Sequence, residues 1–146
     1  MGLFNAMHIS GSALTAQRLR MDVASSNIAN VDTTRGRLVN GEWQPYQRKM
    51  VVLEPKGNEF RSFIQKANGS MHGVKATQVL DDKQPFKLVY QPNHPDADDQ
   101  GYVQLPNVDP LKEMVDLMSS TRSYEANVTV MNAAKGMYMK ALEIGR

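Results

Sequence analysis

Residues 107–118 read NVDPLKEMVDLM, and this stretch marks the start of a long helix that decides the fold. Asp109 is suited to accept hydrogen bonds from the free amides of a first helical turn, and Pro110 stands at the first helical position, where its missing N–H costs little. The run from Pro110 to Ile144 predicts a helix about 50 Å long, at about 1.5 Å per residue. Such a helix cannot pack along a 146-residue core over its whole extent, so we expect it to pair with another helix.

Two rows of mostly apolar residues at seven-residue spacing run along this predicted helix. Lys135 interrupts the first row, and Gly136 beside it weakens the helix locally. The heptad spacing is typical of helices that pack side by side. The first row is Met114, Thr121, Val128, Lys135 and Leu142, and the second is Leu117, Tyr124, Met131 and Tyr138.

A second amphipathic stretch opens the chain and predicts a helix from about Leu3 to Ala29. Gly11 within it either permits close approach of another backbone or marks where the helix properly begins, because glycine lowers helix stability by up to ~1 kcal/mol. The apolar face is broad, so this helix needs more than one neighbour. Its two stripes are Met7, Leu14, Met21 and Ile28, and Ile9, Ala13, Ala16, Leu19 and Val23.

The residues between the helices have a different composition. Short β-branched and aromatic runs such as WQPYQRKMVVLEP, GVKATQVLDD, FKLVYQP and GYVQLP alternate with Pro, Gly, Asn and Asp, which predicts four or five short strands over residues 43–106. Residues 57–69 have no settled pattern and are interpreted as a loop, with one turn of helix or a short strand within it as alternatives. We therefore predict an α+β fold: a coiled-coil-like hairpin of the two long terminal helices (1–36 and 107–146), with a small, mostly antiparallel β domain (37–106) inserted at its head.

Composition narrows the possible functions. The formal net charge of +2 is too small to indicate a nucleic-acid groove or an anionic membrane surface. With no cysteine, there is no disulfide, thiolate nucleophile or cysteine-ligated metal. Ten methionines suit a surface that packs against several different neighbours.

Candidate catalytic and metal sites are few. The stretch HPDADDQG (94–101) is rich in aspartate but lacks the distal glutamate and oxygen spacing of a calcium loop, so we interpret it as a turn whose aspartates cap local amides. The three histidines lie far apart, and no nucleophile elbow or glycine-rich phosphate loop occurs. We predict no enzyme activity, no cofactor, no metal, no small-molecule substrate and no nucleic-acid partner.

Targeting signals are also lacking from the sequence. The opening MGLFNAMHISGSAL has no basic region followed by an uninterrupted apolar run, and no apolar stretch approaches the ~18 residues of a membrane span. We expect a protein made in the cytoplasm, not inserted in a membrane, whose export, if any, does not use a cleaved signal.

Three blocks of sequence resemble the flagellar basal-body rod and hook proteins. The first is ALTAQRLRMDVASSNIANVDTT, which is similar to the N-terminal signature of that family, and the last is EMVDLMSSTRSYEANVTVMNAAKGMYMKAL, which resembles its C-terminal helix. The middle blocks PYQRKMVVLEP, GVKATQVLDD and YQPNHPDADDQGYVQLPNVDP are similar to the short members that build the proximal rod. The variable loop at 35–42 departs from the family pattern.

The resemblance implies a structural subunit of the proximal rod, in the flagellar basal body, that polymerises through its terminal helices and transmits torque from motor to hook. It implies export through the flagellar export apparatus. It also implies contacts with itself, with other rod proteins, and with membrane-ring and rod-base adaptor proteins.

The same resemblance assigns the helix seams to contacts between subunits. Asn27 and Asn30 lie on one helix face and are expected to bond across chains and fix their register, although a simple local cap by Asn30 remains an alternative. Arg122 and Glu125 either select partners or form a solvated pair within the helix. The predicted interface residues are Met7, Leu14, Met21, Asn27, Ile28, Asn30, Met114, Leu117, Thr121, Arg122, Tyr124, Glu125, Val128, Met131, Tyr138 and Leu142.

Two alternative functions remain open at this point. A soluble coiled-coil adaptor or export chaperone of a type III secretion system would keep the helical hairpin but has little need of the β insert. An enzyme acting on peptidoglycan would need convergent acidic or metal-binding residues, which the sequence does not indicate.

Overall fold

The computed structural model describes residues 3–56 and 73–144, which form two long helices and six strands. Helix α1 spans Leu3–Ala29 and helix α2 spans Pro110–Ile144. Both predicted helices are therefore confirmed, and the interpretation of residues 57–69 as a loop lies outside the described residues. The predicted start of α2 is also confirmed, because the backbone N–H of Leu111 donates to Asp109 Oδ1 at 3.1 Å.

The two helices pack against each other in antiparallel directions. Near the start of α1, the ring of Phe4 meets that of Tyr138 edge-on, with centroids 4.7 Å apart. At the other end, the side chain of Asn27 donates a hydrogen bond of 2.9 Å to Glu113 in the first turn of α2. We call the end of the hairpin that holds Asn27 and Glu113 its head.

The strands of the described chain form three separate antiparallel pairs. Their bounds are β1 Arg37–Val39, β2 Glu42–Gln44, β3 Lys49–Pro55, β4 Val74–Asp81, β5 Lys87–Tyr90 and β6 Tyr102–Leu105. Each strand pairs with its neighbour in the chain, so β1–β2, β3–β4 and β5–β6 are three two-stranded ribbons. The predicted α+β class is confirmed. Of the six strands in the described residues, β2 to β6 make up the four or five expected over residues 43–106, with β2 beginning one residue earlier, and β1 precedes that range.

The additional strand β1 lies where the sequence analysis placed a variable loop, and it pairs with β2. Asn40 and Gly41 connect them and both adopt positive φ angles, of 54° and 90°. This is the geometry that a two-residue hairpin requires, and Asn-Gly is its strongest sequence signal. The hairpin is therefore encoded locally, by two residues whose significance the sequence analysis did not recognise.

The β3–β4 ribbon lies alongside α1 rather than only at the head. At one end the backbone of Lys49 bonds to Asn27, and at the other the N–H of Val74 donates to Ser12 Oγ at 3.1 Å. From Ser12 to Asn27 the helix rises about 22 Å, which matches about 23 Å for seven residues of strand. The expectation of an insert placed only at the head is thus corrected: the ribbon supplies part of the cover that the broad face of α1 needs.

Away from Glu113 at the head, the contact between the helices is built from small residues. The buried positions on α2 are Glu113, Ser120 and Ala134, separated by multiples of seven. These buried positions lie one residue earlier in the heptad than the predicted row that starts at Met114. Small side chains such as Ser120 and Ala134 let the two helix backbones approach closely. Elsewhere the buried apolar side chains of the described residues are Ala16, Ala24, Val103 and Val108.

Candidate functional site

A cluster of buried polar residues joins both helices to the β region at the head. We call it the polar junction and define it as Asn27, Arg48, Asp82, Asn107 and Glu113. Asn27, Asp82, Asn107 and Glu113 are all less than a tenth exposed, and the side chain of Arg48 is 11% exposed. Burial of this much polarity in a small protein is stable only if the groups are paired.

Asn27 uses both ends of its amide at the centre of the polar junction. Its Nδ2 donates to Glu113 Oε2 and to the carbonyl of Lys49, both at 2.9 Å. Its Oδ1 accepts from the backbone N–H of Lys49 at 2.9 Å and from the hydroxyl of Tyr46 at 3.0 Å. One side chain of α1 therefore holds the start of β3 and the first turn of α2.

Arg48 supplies the positive charge of the polar junction. Its Nε donates to Glu113 Oε1 at 2.6 Å, and its terminal nitrogens lie 3.3 Å from Asp82 and 3.8 Å from Asp116. Burial by itself lowers the pKa of this guanidinium, but its hydrogen bonds and charge interactions with Glu113 and Asp82 outweigh that effect and raise the pKa. Arg48 stays charged, so it neutralises carboxylates that would otherwise be buried without a partner.

Asn107 extends the polar junction into the segment before α2. Its Oδ1 accepts from the backbone N–H of Arg48 at 2.8 Å, while its Nδ2 donates to the carbonyls of Asp82 at 3.2 Å and Gln84 at 3.1 Å. The Asp82 carbonyl also accepts from the side chain of Gln47 at 2.7 Å. Two asparagines thus hold three chain segments in register through backbone contacts.

The chemistry of the polar junction suits a structural role, in which it holds the two helices and the β region together. Its acids are paired with Arg48 or with amides, and in residues 3–56 and 73–144 no group of three or more His, Cys, Asp or Glu is arranged to hold a metal ion. Removing one charged partner of a buried ion pair leaves an uncompensated charge, which costs about 3–5 kcal/mol. The arrangement resists relative movement of the helices and the β region.

The aspartate-rich loop at 94–101 is held by contacts within the chain. Asp96 accepts from Thr34 at 2.7 Å and from Arg35 Nε at 2.8 Å, and these bonds with Arg35 and Thr34 lower its pKa. Asp98 accepts from the N–H groups of Gln100 at 2.9 Å and Tyr102 at 2.8 Å. Asp98 therefore binds local amides, as the sequence analysis expected, whereas Asp96 binds side chains of the distant segment that follows α1.

Apart from Asn27, which is buried, the predicted interface residues of the helices fall into two groups. The first group is half-buried, so these side chains are partly covered within the chain and partly accessible. Thr121 belongs to the second, exposed group, although its hydroxyl reaches the sulfur of Met21 on α1 at 3.4 Å. The half-buried residues are Met7, Leu14, Met21, Ile28, Asn30, Leu117, Tyr124, Val128, Met131 and Tyr138, and the exposed residues are Met114, Thr121, Arg122, Glu125 and Leu142.

The two asparagines at the end of α1 have different roles. Asn27 is 1% exposed and makes its bonds within the chain, across 22 and 86 residues. Asn30 donates from Nδ2 to the carbonyl of Ser26 at 2.8 Å and accepts from Thr33, which is the local alternative. Register is therefore set inside the chain at Asn27, where the sequence analysis expected a bond between chains.

The charge pair expected on α2 is not formed within the chain. In the part of the chain that the structure describes, Arg122 and Glu125 are both exposed and make no ion pair with each other. Both side chains are therefore available to a neighbour, and their role in selecting partners stays a prediction.

Four members of the polar junction were missed by sequence reasoning: Arg48, Asp82, Asn107 and Glu113. Each is a polar residue beside an apolar run, and such residues are usually solvent-exposed. One usable signal is the stretch LPNV, because an asparagine between a proline and a valine ahead of a helix is well placed to bond backbone groups.

The surface of the chain is large for its mass. The chain exposes 10,734 Å², against about 7,500 Å² expected for a compact monomer of 16.3 kDa. Large apolar side chains on α2 contribute to this surface, among them Leu111, which is 72% exposed, and Met118, which is 55% exposed. No helix in the described ranges is both long and apolar enough to cross a membrane. Such a surface is expected of a subunit whose helices are covered by neighbours in an assembly.

Comparison with known protein families agrees with this arrangement. Residues 7–36, which include most of α1, match the family described as "Flagella basal body rod protein". Residues 99–144, which include α2, match the family described as "Flagellar basal body rod FlgEFG protein C-terminal". The chain is therefore a flagellar basal-body rod protein by class. The two segments that match the family models lie mainly on the paired helices.

Curated relatives identify the member of that class. The chain is 61% identical to the flagellar basal-body rod protein FlgC of Bacillus subtilis (strain 168) over 150 residues, covering all of both chains. It is 45% identical to FlgC of Escherichia coli O6:H1 over 147 residues, again covering both chains completely. The FlgC protein of Borreliella burgdorferi is 43% identical, with 99% of this chain covered.

The chain belongs to the FlgC family of flagellar basal-body rod proteins. It is a structural subunit of the rod in the flagellar basal body, where it associates with other rod components. The interpretation as an adaptor or export chaperone of a type III secretion system is not favoured by these relatives, which are named as rod proteins along the full length of the chain.

Proposed function

We propose that the chain polymerises into the proximal rod through α1 and α2 and transmits torque from motor to hook. In this proposal residues 1–36 and 107–146 form the polymerising domain, and residues 37–106 pack on neighbouring subunits or on a surrounding ring. It has no enzymatic role. Its further partners are the membrane-ring and rod-base adaptor proteins and the flagellar export apparatus.

The observation that carries the proposal is the apolar outer face of α2. Leu111, Val115 and Met118 lie on the side of the helix opposite Glu113 and Ser120, and each of the three is more than half exposed. Exposed apolar side chains that follow one face of a helix are typical of a surface that packs against another helix.

The β region supports the mechanical part of the proposal. Twisting one helix relative to the other within a subunit would break the bonds of the polar junction, which ties both helices to β3. A subunit stiffened in this way passes torque to its neighbours instead of absorbing it by internal movement.

The test replaces two outer residues of α2 with charge. Val115→Glu together with Met118→Glu is expected to leave the far-UV circular dichroism and urea unfolding of the purified chain unchanged, because neither side chain is buried. In cells that depend on this variant, basal bodies should lack the subunit, and swimming should be lost, because two charges would be desolvated between helices.

Lys83→Glu is the matched control, since it changes the net charge by the same amount at an exposed position outside the helices. Cells carrying it should swim normally. Normal rods and swimming with the double variant would contradict the assignment of this face to subunit contacts.

A further inference from the structure

A groove of about 400 Å³ opens between the β1–β2 and β5–β6 ribbons, away from the polar junction and from the helices. Trp43 and Tyr102 line it, and they are 57% and 42% exposed. Tryptophan and tyrosine are the residues that most often anchor protein–protein contacts. The groove is therefore a candidate interaction surface that lies outside the two helices.

The groove follows the outer edge of β2. Glu42, Trp43 and Gln44 all line it, and consecutive residues of a strand point to opposite faces, so the groove lies beside the strand and not on one of its faces. The two-residue turn makes Val39 and Glu42 the hydrogen-bonded pair that closes the hairpin. Trp43 pairs with Leu38 in the next pair, which is not hydrogen-bonded. The backbone N–H and C=O of Trp43 therefore point away from β1.

The opposite wall of the groove is formed by β6. The N–H of Gln91 donates to the carbonyl of Gly101 at 2.9 Å, which makes this a hydrogen-bonded pair of the β5–β6 ladder. Alternation along the ladder then turns the backbone groups of Tyr102 and Gln104 away from β5. Both backbone groups of Tyr102 are already bonded to Asp98. The Tyr102 N–H donates to the Asp98 carboxylate at 2.8 Å, and the Tyr102 carbonyl accepts from the Asp98 N–H at 2.9 Å. Gln104 remains as the outward-facing residue of β6.

The charge of the groove is negative on a chain whose net charge is positive. Its lining includes Glu42, Asp96 and Asp98, and its cationic residue is Arg35, which is paired with Asp96. The chain as a whole carries +2. This local excess of carboxylates favours a cationic occupant.

We propose that this groove binds an extended, cationic peptide segment of another protein, which lies as a strand between β2 and β6. Its backbone would bond to Trp43 on one side and Gln104 on the other, and its apolar side chains would pack on Trp43 and Tyr102. Addition of a strand to an open sheet edge is a general mode of peptide recognition. The proposal does not rest on polymerisation through the helices.

The test uses the tryptophan of the groove as its own reporter, since Trp43 is the one tryptophan of the sequence. A capped peptide of alternating lysine and valine is titrated into the purified chain, followed by Trp43 fluorescence and by calorimetry. A saturable change is expected. A glutamate–valine peptide should give none, and a lysine–valine peptide N-methylated at alternate residues should bind at least about tenfold more weakly, because it lacks the edge-facing N–H groups.

Glu42→Lys should weaken binding of the lysine–valine peptide, whereas Glu54→Lys, an exposed exchange on β3 with the same charge change, should not. Circular dichroism checks that both variants are folded. Equal binding of the N-methylated or the glutamate peptide, or no response at millimolar concentration, would overturn the proposal. Self-association of the chain that is abolished by Glu42→Lys would also overturn it, because a second copy would then be the occupant.

Discussion

Asn27 and Glu113, 86 residues apart in the chain, are joined by a hydrogen bond of 2.9 Å at the buried meeting point of the two helices. The same Asn27 amide binds the backbone of β3, and the same Glu113 carboxylate binds Arg48. The axial register of the hairpin and the placement of the β region are therefore set by one connected group of bonds.

Replacement of Asn27 by alanine should be strongly destabilising. It leaves the part-buried Lys49 N–H and one buried Glu113 oxygen without these partners, at a cost of about 2–4 kcal/mol. Urea unfolding of the purified chain, followed by circular dichroism, measures the change. Asn30→Ala is the matched control, because Asn30 bonds only to nearby residues of the same turn, and it should cost at most about 1 kcal/mol. Equal effects of the two substitutions would contradict the assignment of register to Asn27.

Arg48 and Glu113 should behave as one energetic unit. Arg48→Met removes the positive charge between Glu113 and Asp82 and should cost about 3–5 kcal/mol. Adding Glu113→Gln to that variant should restore part of the loss, because the buried carboxylate that lost its partner is then neutral. A double-mutant cycle measured by urea unfolding gives the coupling, and strictly additive effects would show that the two groups do not interact.

Much of the fold is predictable from local patterns, because its helices carry strong local signals. Asp109 and Pro110 mark the start of α2, and the apolar spacing of both helices predicts their bounds. The polar junction is not predictable in this way. Arg48, Asp82 and Glu113 are far apart in sequence, and no local pattern distinguishes a buried charge from a solvated one.

Tertiary packing also determines which residues of α2 contact α1, and the sequence pattern alone did not predict them. The sequence analysis chose two rows of mostly apolar residues, one starting at Met114 and the other at Leu117. The helices approach instead along Ser120 and Ala134, one residue earlier in the heptad, because small side chains permit a closer contact. The larger apolar residues remain available to neighbours, so in a subunit of an assembly the most hydrophobic row need not face the chain's own interior.

Replacement of Ser120 by alanine is expected to stabilise the chain. Its hydroxyl is buried and, among the residues that the structure describes, has no hydrogen-bond partner. Ser120→Ala removes this unsatisfied group and improves helix propensity, so the free energy of unfolding should rise by about 1 kcal/mol. Ser26→Ala serves as the comparison, because its hydroxyl lies 3.4 Å from that of Tyr46 and its loss should not stabilise the chain. A decrease in stability for Ser120→Ala would show that the hydroxyl has a partner, such as a bound water.

The pKa of Asp96 should show whether the contacts of the 94–101 loop with Arg35 and Thr34 are formed. The hydrogen bonds from Arg35 and Thr34 hold its pKa below the ordinary value, so its folded pKa is lower than its unfolded one. The stability that this carboxylate contributes is then fully present above the unfolded pKa and is lost as the pH falls through the folded pKa. Carboxyl NMR titration should show the pKa of Asp96 rising in Arg35→Gln. Arg37→Gln should leave it unchanged, because Arg37 pairs with Asp81 and Gln47 instead.

Gly11 offers a way to separate the stability of the chain from its assembly. Among the described residues, a Cβ at this position would meet no atom within 4 Å apart from the adjoining backbone of α1 itself, so in the isolated chain alanine should stabilise α1 by about 0.5–1 kcal/mol. The same residue lines an open groove with Phe4, Met7 and His8, where the helix of a neighbouring subunit has room to approach. We therefore expect Gly11→Ala to raise the free energy of unfolding in urea while reducing incorporation into basal bodies. Gly136→Ala is the control for the first effect, since it too would meet no atom within 4 Å. A Gly11→Ala chain that is both more stable and fully incorporated would show that no neighbouring backbone packs against this turn of α1.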